Sequence, residues 1–196
     1  FPLIPARRQP RCLIAHWYTP PYIIDLVDLA PGPGTEPEIM AQMKALYERM
    51  GKKPIIFAKF LPGYVANRLQ AAMSLEITRL LDEGWATAAI IDDSIKHGLA
   101  LRMALMGALM KADFTGLDMV RRAMANGIYQ PPSPQAHSAT LDKLIAEGKQ
   151  GVMSGAGFFD YGGRTPQELF HARDVSLLKL KAATKKIEEE TPLPVG

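Results

Sequence analysis

A single cysteine, Cys12, stands among the 196 residues, so no disulfide can form within the chain. That usage fits a reducing compartment, and a cytoplasmic location is the expectation. Charge of one sign is also missing: Lys+Arg 23 against Asp+Glu 20 leaves +3. Arg7, Arg8 and Arg11 make only a small cluster, with no basic stripe interleaved with aromatics, so a nucleic-acid partner is not expected. Long apolar runs are absent too. The longest, Gly98 to Met110, is broken by Arg102 and falls short of the roughly 18 residues of a membrane span. Phe1 opens a Pro/Arg-rich stretch without the charged-then-apolar order of a signal peptide. No HExxH or paired CxxC is present, so no metal site is expected, and no GxSxG elbow supplies a serine nucleophile. Gly32 and Gly34 do not fit GxGxxG, and Gly155-Ala156-Gly157 precedes aromatics instead of a helix, so the dinucleotide fingerprint is missing.

What remains is ordinary folded protein. Hydrophobic residues make up 47% and charged residues 22%, which excludes a disordered or fibrous chain. Pro/Gly-rich breaks fall at Pro31–Gly34, Pro131–Pro134 and Gly151–Gly163. Before and just after the first, Cys12–Ala15 and Ile23–Leu29 read as extended runs, Glu36–Met50 as an amphipathic helix closed by Gly51, and Ile55–Lys59 as a strand begun by Pro54. Beyond Pro62 the pattern turns helical. Val65, Leu69, Ala72, Met73, Ile77 and Leu80 form an apolar stripe that ends before Gly84, and a core within the chain explains it as well as a partner does. Thr87 caps a short helix to about His97, and Gly116–Asn126 and Ser138–Glu147 read as further helices. Met103, Met106 and Met110 are expected to fill gaps in the core. Thr165-Pro166-Gln167-Glu168 is a capping box opening a helix to about Glu189. The fold class is therefore α+β: the C-terminal edge of a Rossmann-type α/β domain over residues 1–61, then a mainly helical domain over 62–196.

His16 is the histidine whose context differs. It ends an apolar strand and is followed by Trp17, Tyr18, Thr19 and two prolines that stiffen the loop. Asp28 lies on the next apolar run, and adjacent strands would bring the two side chains together. A carboxylate on one imidazole nitrogen fixes the tautomer while the other accepts a proton. The plainer alternative is that His16 terminates a strand and Asp28 begins a turn.

The segment His16-Trp17-Tyr18-Thr19-Pro20-Pro21 with Leu26-Val27-Asp28 resembles the HxxNPP…LVE signature of the L-3-hydroxyacyl-CoA dehydrogenase family. Leu61-Pro62-Gly63-Tyr64-Val65-Ala66-Asn67-Arg68-Leu69-Gln70 is similar to that family's PGFxxNRLQ hinge. Glu76–Gly84, Gly98–Arg102, Asp113–Asp118 and Ser154–Tyr161 follow in the family's order, so the likeness runs from Cys12 to about Leu180. The Gly98–Arg102 block and Arg164–Glu168 lean toward the lambda-crystallin and L-gulonate or carnitine dehydrogenase branch.

The resemblance implies NAD as cofactor, a 3-hydroxyacyl-CoA or related 3-hydroxy acid as substrate with a 3-keto product, and a homodimer built through the helical domain. It implies His16 and Asp28 as the catalytic pair, with Asn67 and Thr19 toward the substrate. Asp28 replaces a glutamate and Thr19 an asparagine, and the GxGxxG loop that would hold NAD is not in these residues. The chain is thus expected to be the later part of a longer enzyme and inactive by itself. The alternatives are a non-catalytic dimerising relic of the fold or an acyl-chain binding module. Fatty-acid oxidation, small hydroxy acids and secondary-metabolite acyl chains all remain open as substrate settings.

Overall fold

Successive side chains of a strand point to opposite faces of its sheet, so two strands in register sort their residues into two sets. The computed structural model describes residues 1–127 and 129–193, in two compact units, Phe1–Ala71 and Ala72–Gly196. Residues 194–196 of the expected helical domain lie outside the described residues.

In the first unit, after a 3-10 turn at Ala6–Arg11, strands β1 (Leu13–Trp17), β2 (Leu26–Pro31) and β3 (Lys53–Ile56) form a sheet in the order β1-β2-β3. β1 and β2 are antiparallel; β2 and β3 are parallel. A parallel pair needs a crossover, and helix α1 (Pro37–Arg49) supplies it. Val27 and Leu29 of β2 are fully buried and pack with Tyr47 of α1, ringed by Leu13, Ala15, Trp17, Met40 and Met43. The alternate set, His16 and Asp28 among it, faces the other side of the sheet.

The strand limits differ from the sequence reading, because pairing and not apolar content sets them. β1 runs through Trp17, so His16 lies inside the strand. β2 starts only at Leu26, since the amides of Ile23 and Ile24 both donate to the Pro20 carbonyl in a turn. β3 begins at Lys53 and stops at Ile56. Pro54 is therefore internal to it, tolerated because β3 is an edge of this sheet. α1 is as expected and ends at a left-handed Gly51 (φ 74°).

Helix α2 (Val65–Asp82) crosses the division between the units. In the second unit follow α3 (Ala88–Asp93), α4 (Leu101–Thr115), α5 (Leu117–Ala125), α6 (Ala139–Ala146) and α7 (Pro166–Glu190). Thr87 caps α3 by accepting the Ile90 amide. A π-helical turn, Ser94–Ala100, joins α3 to α4, and α4 breaks at Gly107, whose φ of 67° leaves the helical region. The Asp82 carboxylate accepts from the Ser138 hydroxyl and from the Ala139 and Thr140 amides, so the end of α2 caps the start of α6. Those bonds, Thr140 foremost, hold its carboxyl below the usual range. At α7 both halves of the capping box form: the Glu168 amide donates to Thr165 Oγ1, and the Thr165 amide to Glu168 Oε2.

One packing expectation fails. Met103 is exposed and Met106 and Met110 are only half-buried, because the break at Gly107 and the short α5 give α4 too little to pack on. Of the α2 stripe, whose covering the sequence leaves open between core and partner, Val65, Leu69 and Met73 are exposed, while Ile77 and Leu80 are half-buried. A cavity of about 300 Å³ opens among Ile77, Leu81, Ile91, Leu141 and Phe158. Among the described residues no helix is long and apolar enough to cross a membrane.

The sheet should therefore carry the first unit's stability. Leu29→Ala is expected to cost about 3 kcal/mol, read as a lower urea midpoint with an unchanged denaturant slope.

Candidate active site

The register of β1 on β2 sets His16 directly opposite Asp28. Both belong to the set facing away from α1, so their side chains meet over the sheet. His16 Nδ1 lies 4.0 Å from Asp28 Oδ2, beyond hydrogen-bond length. Asp28 is 2% exposed, whereas the His16 side chain keeps 32% of its surface. Nδ1 itself is enclosed and unpartnered, so the open edge of the ring is the one carrying Nε2.

Two residues that sequence reasoning did not single out complete the cluster. Tyr18 donates its hydroxyl to Asp28 Oδ2 at 2.5 Å, and its ring stands edge-on to the imidazole at 4.8 Å. Burial, then the bond to Asp28, pushes its phenol far above the usual range. The signal was available: residues i and i+2 of an extended chain share a face, and Tyr18 follows His16 by two. Tyr64 stacks on the imidazole, centroids 4.8 Å apart and planes 26° apart, and is backed by Phe57 and Phe60. Its hydroxyl is buried without a partner, and burial, then the Asp28 charge, raises its phenol as well. No local pattern marks Tyr64. It reaches the site through a left-handed backbone (φ 47°), a conformation costing about 1–2 kcal/mol for a residue with a Cβ.

Thr19 is exposed and directly follows Tyr18; Asn67 is half-buried in the first turn of α2, three residues after Tyr64. Among the described residues neither side chain hydrogen-bonds to the His16–Asp28 pair. Nor do three His, Cys, Asp or Glu side chains gather as a metal site there.

Residues 63–161 match the model of the 3-hydroxyacyl-CoA dehydrogenase C-terminal domain, and residues 5–60 that of its NAD binding domain. The chain belongs to the 3-hydroxyacyl-CoA dehydrogenase family. It is 32% identical to an L-carnitine dehydrogenase of Pseudomonas putida, over 89% of this chain and 54% of that protein. It is 38% identical to the lambda-crystallin of Oryctolagus cuniculus, over 50% of this chain and 31% of that one. The crystal structure of 5-formyl-3-hydroxy-2-methylpyridine 4-carboxylic acid 5-dehydrogenase superposes with a TM-score of 0.78 at 24% identity. That match covers 88% of this chain and 56% of the other, and speaks to the fold alone. The chain spans about half the length of the curated relatives it matches over most of its own length.

Membership makes NAD the cofactor of the domain to which residues 5–60 belong. The place to test for a phosphate cradle is Gly32–Glu36. This glycine-bearing loop leads from a strand, β2, into a helix, α1. Most of its polar groups are nonetheless spent. The Gly32 amide donates to Thr35 Oγ1, the Thr35 hydroxyl donates to the Cys12 carbonyl, and the Glu36 amide donates to the Pro10 carbonyl. The Phe1 ring fills the space beside Gly32, 1.9 Å from where a Cβ would stand. Glu36 and Glu38 add negative charge at the helix start, where an anion would need the opposite. The loop does not fit a pyrophosphate, so no step of the chemistry below is routed through the dinucleotide.

The Tyr18 phenol gives this site an alkaline signature. Its pKa is raised in the fold, so the proton is held more tightly folded than unfolded. The stabilisation is complete below the ordinary value of 10.0 and is lost as pH rises above it. The urea midpoint should fall above that pH, and fall less in Tyr18→Phe.

Proposed function

We propose that this chain carries the proton-accepting half of a dehydrogenase that converts 3-hydroxyacyl or small 3-hydroxy acid substrates to the 3-keto product. His16 is the general base: Nε2, on the open edge of the ring, takes the proton of the 3-hydroxyl. Asp28 faces Nδ1 and steadies the positive charge that forms. Asn67 and Thr19 bind the substrate. NAD is the hydride acceptor of the family, and no residue of this chain is assigned to holding it.

The reading is carried by one observation: an imidazole opposite a buried carboxylate, with one nitrogen enclosed and the other edge open. The sequence relation to an L-carnitine dehydrogenase, whose name describes a dehydrogenase, supports it. The whole protein's choice between coenzyme A thioesters and free hydroxy acids belongs to this proposal. So does a cytoplasmic setting, supported by the lone cysteine.

The test is to complete the chain with the NAD-binding N-terminal part of a related dehydrogenase and follow NADH formation from 3-hydroxybutyryl-CoA and from L-carnitine. Turnover that falls by about 10²–10⁴-fold in His16→Ala supports the assignment. Full turnover in that variant sinks the role of His16; none in the completed protein sinks the dehydrogenase reading and leaves a non-catalytic relic of the fold.

We also propose that the helical unit forms a homodimer. Its support is the apolar surface that the unit does not cover itself: Leu109 is 84% exposed, Met124 80% and Leu101 69%. Sedimentation should give a dimer, and Leu109→Asp should shift it toward monomer.

A further inference from the structure

A carboxylate as buried as Asp28 requires donors. Among the described residues the one it has is the Tyr18 hydroxyl, at 2.5 Å from Oδ2, the length of a strong bond to a charged acceptor. The same oxygen is the one nearest His16, and it lies 4.0 Å from Nδ1. The carboxylate is therefore oriented by tyrosine and not by histidine. Among the described residues three titratable groups face the imidazole: Asp28 from β2, Tyr18 just beyond the end of β1 and Tyr64 from the turn before α2.

We propose that Tyr18 is a positioning residue that holds Oδ2 of Asp28 toward His16 and so decides which imidazole nitrogen carries the hydrogen. The inference rests on the reading of His16 as general base. An ionised carboxylate only accepts. With Oδ2 pinned toward Nδ1, the neutral ring is favoured with its hydrogen on Nδ1, and Nε2 keeps the lone pair that a base needs. Without the phenol, the short Asp28 side chain turns about its own bonds and the preference weakens. Tyr64 cannot substitute: it covers the face of the ring, where it discriminates little between the two nitrogens. Nor does His16 hold the carboxylate itself, because the separation of 4.0 Å leaves no bond between them.

A longer acid at position 28 should rescue the loss of the phenol. A glutamate at position 28 is one methylene longer, enough to close the remaining gap to Nδ1 without help. Tyrosine at position 18 is needed because the acid is aspartate.

The experiment is long-range proton–nitrogen NMR of the His16 ring in the labelled 196-residue chain, at a pH where the imidazole is neutral. The Nδ1–H form should dominate. In Tyr18→Phe its ratio to the Nε2–H form should fall about threefold or more, the factor carried by one hydrogen bond. Adding Asp28→Glu to that variant should restore it. In the unmutated chain the Tyr18 hydroxyl proton should appear far downfield, protected from exchange and close to the His16 ring, and Asp28→Asn should abolish it. An unchanged ratio in Tyr18→Phe overturns the proposal. If that variant does not fold, absence of a protected hydroxyl proton in the unmutated chain overturns it instead. The two readings fail separately. A locked tautomer in a completed protein without turnover removes the dehydrogenase assignment; turnover with a tautomer indifferent to position 18 removes the role of Tyr18.

Discussion

The antiparallel pairing of β1 with β2 is the constraint on which the rest of this site depends. Shifted by one residue, it would send His16 to the α1 side and Trp17 to the other. The register is held because Val27 and Leu29 must both face Tyr47. Hydrophobic packing on one face thus fixes polar chemistry on the opposite face. The strand that does this, β2, is buried on both sides along Val27–Ala30, so Asp28 is carried into the interior by its neighbours. A charged group placed there needs a donor, and the chain provides one two residues beyond the histidine.

Much of this was legible in the sequence because it is local. The period of α1, the Gly51 stop and the capping box of α7 are short-range patterns, and each stands where the residues put it. The family resemblance rested on ordered motifs, and the matches to both domain models agree with it. The strand ends were less legible, since a strand's limit is decided by its partner: Ile23 and Ile24 are apolar yet turn back onto Pro20. The α2 stripe stayed ambiguous for a related reason. Periodicity shows that a face is apolar without showing what covers it, and here Leu69 and Met73 are left uncovered by this chain.

The candidate site divides in the same way. His16 and Asp28 could be paired from spacing, because neighbouring strands are the simplest way to bring them together. The Tyr18 contact follows from alternation. The position of Tyr64 does not follow from anything nearby, since it depends on a left-handed residue after Gly63. The substrate-facing roles expected of Thr19 and Asn67 rest on the resemblance, and their places beside Tyr18 and beyond Tyr64 are compatible with them. The Gly32–Glu36 loop shows the opposite case: a strand, a glycine turn and a helix in the right order, with the Gly32, Thr35 and Glu36 amides committed elsewhere.

Among the described residues, the groups set against the imidazole, Asp28, Tyr18 and Tyr64, come from a continuous stretch between positions 16 and 64. A segment of that kind is a cassette in the genetic sense. Recombination that exchanged the residues before it, or the helices after it, would move the polar cluster whole, leaving selection free to alter either flank without rebuilding it.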